Sequence, residues 1–194
     1  MDRLIAKTGV VIIILTILIA PWFSHAEYNW LRHTTSNLGG QNMPNAWIMN
    51  IGFFCYGAGT ATGAAMRLRR IPARASAIIL FGSGLVGTAL FSTGSNAFGL
   101  QFDPAEDWWH SFFASLIGVS FALATAIRLF APGGSLQDYL SWAGLFASAA
   151  IPMAMSLFPE FAGLLQRGMF TISFIWIWRE FSLPAAPAVN QLPR

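Results

Sequence analysis

Charge is scarce in this 194-residue chain. Only 10% of its residues are Asp, Glu, Lys or Arg, against roughly 25% in a soluble domain. So few charges cannot build a water-facing surface, so lipid must be the solvent for much of the molecule. The net charge of +3 is therefore no sign of nucleic-acid binding. The arginines stand in small groups between apolar segments, where they report topology. Cysteine is nearly absent. The single Cys55 lies inside an apolar run, which excludes an internal disulfide and any multi-cysteine metal site. It reads most simply as a small packing residue. There is no His-x-x-x-His or His-x-x-Glu-His pair, no repeat of solenoid length and no visible inverted repeat of the transporter kind. No span is polar along its whole length, as a channel lining would be.

What is present is hydrocarbon, with apolar residues making up 55% of the chain. Six segments approach the roughly 20 apolar residues that a spanning helix needs. They are Leu4 to Phe23, Ala46 to Met66, Ala75 to Asn96, Trp108 to Phe130, Leu140 to Phe158 and Ala162 to Phe181. They are too long for strands and lack period-two alternation. The expected fold is an all-α polytopic membrane bundle of six transmembrane helices over residues 1–183. Residues 184–194, with three prolines, are expected to form an unstructured cytoplasmic tail.

Arg3, Lys7, Arg67, Arg69, Arg70, Arg74, Arg128, Arg179 and Arg194 fall on one side of this arrangement. Arg32 and Arg167 fall on the other, with Glu27, Asp103, Glu106, Asp107 and Glu160. The positive-inside rule then puts both termini in the cytoplasm of a multi-pass protein of the cell membrane, a bacterial cytoplasmic (inner) membrane. The first segment also has the outline of a signal peptide, with Ser24-His25-Ala26 ahead of Glu27. The bulky Pro21-Trp22-Phe23 favours a retained helix. Gly59 with Gly63, and Ser83 with Gly87, are small-xxx-small pairs suited to close helix packing. Pro152 should kink or open the fifth span.

The most polar run is Arg32 to Asn50. Its double glycine, Gly39-Gly40, marks a turn or a close backbone approach, and Pro44-Asn45 reads as the start of the second helix. Asn50 then lies inside that helix and should face the bundle, because a buried amide needs partners. A second cluster runs from Asp103 to Ser111. On a helix starting near Pro104, the spacing puts Asp107, His110, Ser111 and Ala114 on one face. Arg167 is about a turn inside the sixth span and needs partners there. Asp107 and Glu160 are the candidate counter-ions.

These residues predict a polar pocket opening outward, lined by His33, Ser36, Asn37, Gln41, Asn50, Asp107, His110, Ser111 and Arg167. Three readings compete. The first is binding of a small or lipid-like ligand, with Arg167 holding an anionic group and His110 with Asp107 orienting it. The second is a membrane hydrolase or transferase acting on lipid, with His110 as general base, Asp107 as its orienting group and Ser36 as nucleophile. The third is a structural or accessory subunit in which these groups only lock helix ends. His33 and His110 with Asp107 or Asp103 would also make a metal set on paper. No metal is assigned, and no cofactor is indicated. Membrane lipid is the expected partner, with a second copy or another membrane protein as further partners and no nucleic acid.

His33-Thr34-Thr35-Ser36-Asn37-Leu38-Gly39-Gly40-Gln41, then Pro44 to Asn50 and Gly52-Phe53, resembles the signature of the domain of unknown function 998 family. Glu106-Asp107, His110-Ser111, Ala114, Gln166-Arg167 and Trp176 continue the resemblance. Members usually carry an acidic residue where this chain has Asn37. The resemblance implies a six-helix integral membrane protein and brings no activity with it.

Overall fold

The computed structural model describes residues 2–68, 71–131 and 135–183, and the expected tail at 184–194 lies outside the described residues. Seven α-helices and three 3-10 turns make up its regular structure, with no strand among the described residues. Helix α1 spans Asp2–Ile19 and runs into a 3-10 turn at Ala20–Phe23. A single-turn helix, α2, covers Thr35–Leu38. The remaining helices are α3 (Trp47–Arg67), α4 (Pro72–Leu90), α5 (Pro104–Phe130), α6 (Tyr139–Leu157) and α7 (Ala162–Glu180). At 1.5 Å per residue the six long helices measure about 27–40 Å, comparable with a hydrocarbon core of about 30 Å. Among the described residues, four stretches are both long and apolar enough to cross a membrane: Arg3–Phe23, Pro72–Leu90, Pro104–Phe130 and Tyr139–Leu157. Helices α3 and α7 match them in length but carry more polar residues.

Two ends of the expected spans need correction. The third span stops at Leu90 instead of reaching Asn96. Residues 91–103 leave the helix and fold over the bundle end through a 3-10 turn at Asn96–Phe98. Polar Ser92-Thr93-Gly94-Ser95 breaks the apolar run there. The second span starts at Trp47, later than Pro44-Asn45 suggests. Asn42 and Asn45 hold left-handed backbone at φ 59° and 54°, a conformation that asparagine tolerates better than most residues. The entry turn therefore belongs to the asparagines.

Each long helix lies against the next in sequence, and α7 returns to α1, closing a ring. The ring is filled by aromatic side chains. Tyr56 of α3 meets Phe81 of α4 and Phe174 of α7 edge-on, and Trp176 of α7 meets Phe121 of α5 in the same way. Trp176 and Tyr56 are fully buried. Glycines set the closest approaches. A Cβ on Gly57 or Gly82 would stand 2.5 Å from the carbonyl oxygen of the other, so α3 and α4 touch backbone to backbone there. Gly59 takes α1 in the same way, with its Cβ position 2.8 Å from the Ile5 carbonyl oxygen. Of the expected Ser83–Gly87 pair, Ser83 is exposed. Gly84 and Gly87 are the two that accept α5, against Ile117 and Phe113.

The loops segregate to two ends. The segments at 24–46, 91–103 and 158–163 hydrogen-bond to one another at the loop end. The opposite, arginine end is tied by charge. Asp138 accepts from Arg179 Nη1 at 2.6 Å and Arg128 Nε at 3.2 Å, and Arg74 meets Glu180 at 3.3 Å. Burial pushes the Asp138 carboxyl up, but its bonds from Arg179, Ser141 and Arg128 outweigh that and hold it well below the usual carboxylate range. Helix α6 is buried most deeply near this network. Its buried residues, Ser141, Gly144 and Ala147, all fall in its first half, and the helix continues through Pro152 with none.

Asp138→Asn leaves two guanidinium groups without their carboxylate. Thermal unfolding in detergent should show a loss of about 2 kcal/mol. An unchanged Tm would mean that the network does not hold α5, α6 and α7 together.

Candidate functional site

The first turns of a helix leave backbone N–H groups without partners. In α7 the loop before α2 supplies them. Gly163 N–H donates to the Arg32 carbonyl at 3.2 Å and Leu164 N–H to the Leu31 carbonyl at 3.0 Å. Only glycine fits at 163, because a Cβ there would meet the His33 and Trp30 carbonyl oxygens at 2.3 and 2.5 Å. One turn further, Gln166 Oε1 accepts from the Thr35 amide at 2.7 Å and the Thr35 hydroxyl at 2.6 Å. Arg167 Nη1 donates to the carbonyls of Trp30 (2.8 Å), Gly163 (2.9 Å) and His33 (3.1 Å), and Nη2 donates to the Tyr28 hydroxyl. Tyr28 in turn donates to the His33 and Thr34 carbonyls. Burial raises the Tyr28 hydroxyl above its ordinary value despite the Arg167 charge, so it keeps the proton it donates.

This clamp corrects the expected counter-ions of Arg167. Neither Asp107 nor Glu160 pairs with it among the described residues. Its partners are all neutral oxygens, so its charge is hydrogen-bonded but not neutralised.

A second knot joins the two long loops to α5. Gln41 donates through Nε2 to the Ser92 and Asp103 carbonyls at 3.0 and 3.1 Å, and accepts the Asp103 amide at 2.6 Å. Its own backbone bonds to Thr93 and to Ser95 Oγ. Glu106 accepts the Ser92 amide at 2.7 Å. Asp107 accepts the Gly94 amide at 2.6 Å and the Thr93 hydroxyl at 3.1 Å. His110, 6% exposed, donates from Nδ1 to the Phe91 carbonyl at 2.8 Å. Asn50 does face the bundle, donating to the Gly39 carbonyl at 3.3 Å. Its Oδ1 also explains Gly39, where a Cβ would lie 2.1 Å from that oxygen.

The nine expected pocket residues are therefore divided. Asp107, His110 and Gln41 brace loops at the second knot. Ser111 is exposed on α5, and Ser36 makes no side-chain hydrogen bond among the described residues. No hydrogen bond joins any two of Ser36, His110 and Asp107 there, so the paper triad is not assembled. Nor do three His, Cys, Asp or Glu side chains meet as a metal-ligand set among the described residues. Asn37 closes a capping box on α2, where its Oδ1 accepts from the Thr34 amide and hydroxyl at 2.9 and 3.0 Å. A carboxylate oxygen would accept the same two bonds.

Two of the cavities among the described residues lie beside the clamp and the first loop. A groove of about 340 Å³ runs between α1 and α7, walled by Ile14, Ile17, Leu18, Phe174 and Ile175, with Thr171 and Arg167 along it. A polar cavity at the loop end contains His33 and Asn37. The residues that sequence reasoning passed over are Tyr28 and Gly163. Each is a single residue in a loop or at a helix start, where no periodicity singles it out.

Residues 8–178 match the family model described as Protein of unknown function (DUF998). The chain belongs to this family. The match takes in both loops and the Gln166-Arg167 pair, which the clamp brings together at the loop end, whereas Trp176 lies inside the ring against Ser141. No curated protein and no solved structure matches the chain.

His33 supplies a pH dependence. Its Nδ1 accepts the Asn29 amide at 3.0 Å, which requires the neutral ring. Burial, then the Arg32 charge, lower its pKa from the ordinary value, against a smaller rise from Glu27. A histidine with a lowered pKa contributes stability in full above its unfolded value of about 6.5 and loses it as pH falls through the folded value. Hydrogen exchange over residues 25–37, corrected for intrinsic rates, should quicken between pH 7.5 and 5.5. In His33→Ala it should be quick at both. Separately, Arg167→Lys keeps the charge but not the forked geometry, and should lower stability by about 1–2 kcal/mol in thermal unfolding.

Proposed function

We propose that this is a six-span integral membrane protein of the cell membrane, both termini cytoplasmic, that binds a lipid-like ligand with an anionic head. The observation that carries this reading is Arg167 beside the apolar groove between α1 and α7. The groove walls are hydrocarbon, suited to an acyl chain. Arg167 brings a positive charge that no carboxylate among the described residues neutralises. It lies about 8 Å along α7 from the loop end, the depth at which a lipid head meets its chains. A charge held at the edge of hydrocarbon is expensive unless paired, and a bound anion would supply the missing charge. Phosphate and carboxylate both suit the guanidinium, which keeps Nε–H and one Nη2 hydrogen outside the loop clamp.

The topology rests on the arginine end, which gathers Arg67, Arg74, Arg128 and Arg179, while the loop end holds mostly acidic residues; the positive-inside rule makes the loop end the outer one. Helices α3 and α7 complete the six spans, because several of their polar groups turn into the ring. Tyr56 bonds to Ser173 at 3.3 Å, and Trp176 donates to Ser141 at 2.8 Å. His110 and Asp107, given an orienting role by sequence reasoning, have none in this reading. They stand at the second knot.

The test is native mass spectrometry of the delipidated protein in a neutral detergent, titrated with dodecyl phosphate. Wild type should retain it. Ile14→Trp, which fills the groove from an exposed position on α1, should weaken retention at least tenfold. Arg167→Gln should remove the preference for dodecyl phosphate over dodecanol. Equal retention by wild type and Ile14→Trp would place the ligand elsewhere and sink the reading.

A further inference from the structure

A second cavity, of about 490 Å³, opens at the loop end. It shares no lining residue with the α1–α7 groove. Its walls carry Glu27, Arg32, His33, Thr34 and Asn37 from the first loop and Ala97 from the second, with the turn before α7 completing it. Two opposite charges face this space, and neither forms an ion pair among the described residues. Both act on the His33 imidazole: Arg32 lowers its pKa and Glu27 raises it.

The backbone that carries the two charges is fixed. On the Glu27 side, Tyr28 donates its amide to His25 and its hydroxyl to the His33 and Thr34 carbonyls. The Arg32 carbonyl is held by the Gly163 amide. The donors between the charges are also set. Because His33 Nδ1 accepts the Asn29 amide, the neutral ring carries its proton on Nε2. The ring is braced against Phe98 at 4.6 Å and Tyr28 at 5.7 Å. Asn37 commits Oδ1 to Thr34, which leaves its Nδ2 donors without a partner among the described residues. The cavity thus presents guanidinium, imidazole and amide donors together with one carboxylate, and the two charges do not pair with each other among the described residues. A simple anion would meet Glu27, and a simple cation would meet Arg32. A dipolar ligand satisfies both.

We propose that this cavity binds a small zwitterion, its phosphate or carboxylate on Arg32, His33 and Asn37 and its ammonium on Glu27. The same chemistry is presented by a free solute such as phosphoethanolamine and by the head group of a zwitterionic lipid. This site is independent of the groove.

The experiment uses the full chain in neutral detergent, with isothermal titration of O-phosphoethanolamine, inorganic phosphate and ethanolamine. A parallel arm compares nanodiscs of phosphatidylethanolamine and of phosphatidylglycerol, read by native mass spectrometry of the lipid carried out of the disc. O-phosphoethanolamine should bind at least tenfold more tightly than either half alone. Arg32→Gln should lose binding. Glu27→Gln should weaken O-phosphoethanolamine at least tenfold while leaving phosphate unchanged or improved. Ile14→Trp should have no effect, which separates this site from the groove. Both charged residues are exposed, and an unchanged Tm confirms that their variants fold. Binding of the solute identifies a free zwitterion. Retention of phosphatidylethanolamine alone, lost in Glu27→Gln, identifies the lipid head. No binding in either arm, or equal binding by wild type and Glu27→Gln, overturns the proposal.

Discussion

An arginine inside an apolar bundle must be given oxygen atoms, and Arg167 takes them from backbone. Four oxygens converge on its guanidinium: three carbonyls and the Tyr28 hydroxyl. Three of the four belong to the loop before α2. That loop, otherwise a polar strand of chain with no regular structure, is thereby fastened to α7. Gln166 adds the α2 turn through Thr35, and Gly163 permits the contact by having no side chain. Helix start, loop and α2 depend on one another through this clamp. Since all its acceptors are neutral, the clamp binds the loop while keeping a full positive charge beside the groove. A structural anchor is in this way also an electrostatic feature.

The second knot works by the opposite rule. Glu106 and Asp107 are acidic residues in the first turn of α5, where the helix dipole favours negative charge. They reach across to amides of residues 92–94, which have no ladder or helix to pair with. Gln41 fills the space between. The loop end is therefore held almost wholly by hydrogen bonds, and the arginine end by ion pairs. The division follows the composition, because most carboxylates and amide side chains collect at the loop end and most guanidinium groups at the other, where Asp138 and Glu180 pair with them.

The helices were legible because lipid-length apolar runs admit few alternatives, and all six expected segments coincide with long helices. The ends were less so. A hydropathy run continues to Asn96, yet Ser92 to Ser95 find partners on α5 and Gln41 that one-dimensional reading cannot supply. The site was legible in its residues but not in its grouping. Asp107 and His110 sit one helical turn apart, as the spacing requires, but each looks to a different backbone group and neither to the other. Arg167 was rightly expected to need partners. That they would be carbonyls and a tyrosine depended on how residues 28–33 turn back, which no spacing rule encodes.

Helix α6 is mounted like a cantilever. Asp138, Ser141, Gly144 and Ala147 build its root into the arginine end, and beyond Ala147 no residue is buried. A beam fixed at its root deflects most at its tip. Here Pro152 removes one backbone hydrogen bond beyond the last fully buried residue, which makes that turn the easiest place for the helix to bend. The tip is coupled through the short turn at Pro159–Phe161 to Gly163, Gln166 and Arg167. Mechanical displacement of α6 would therefore be delivered to the one turn of α7 on which the loop end hangs.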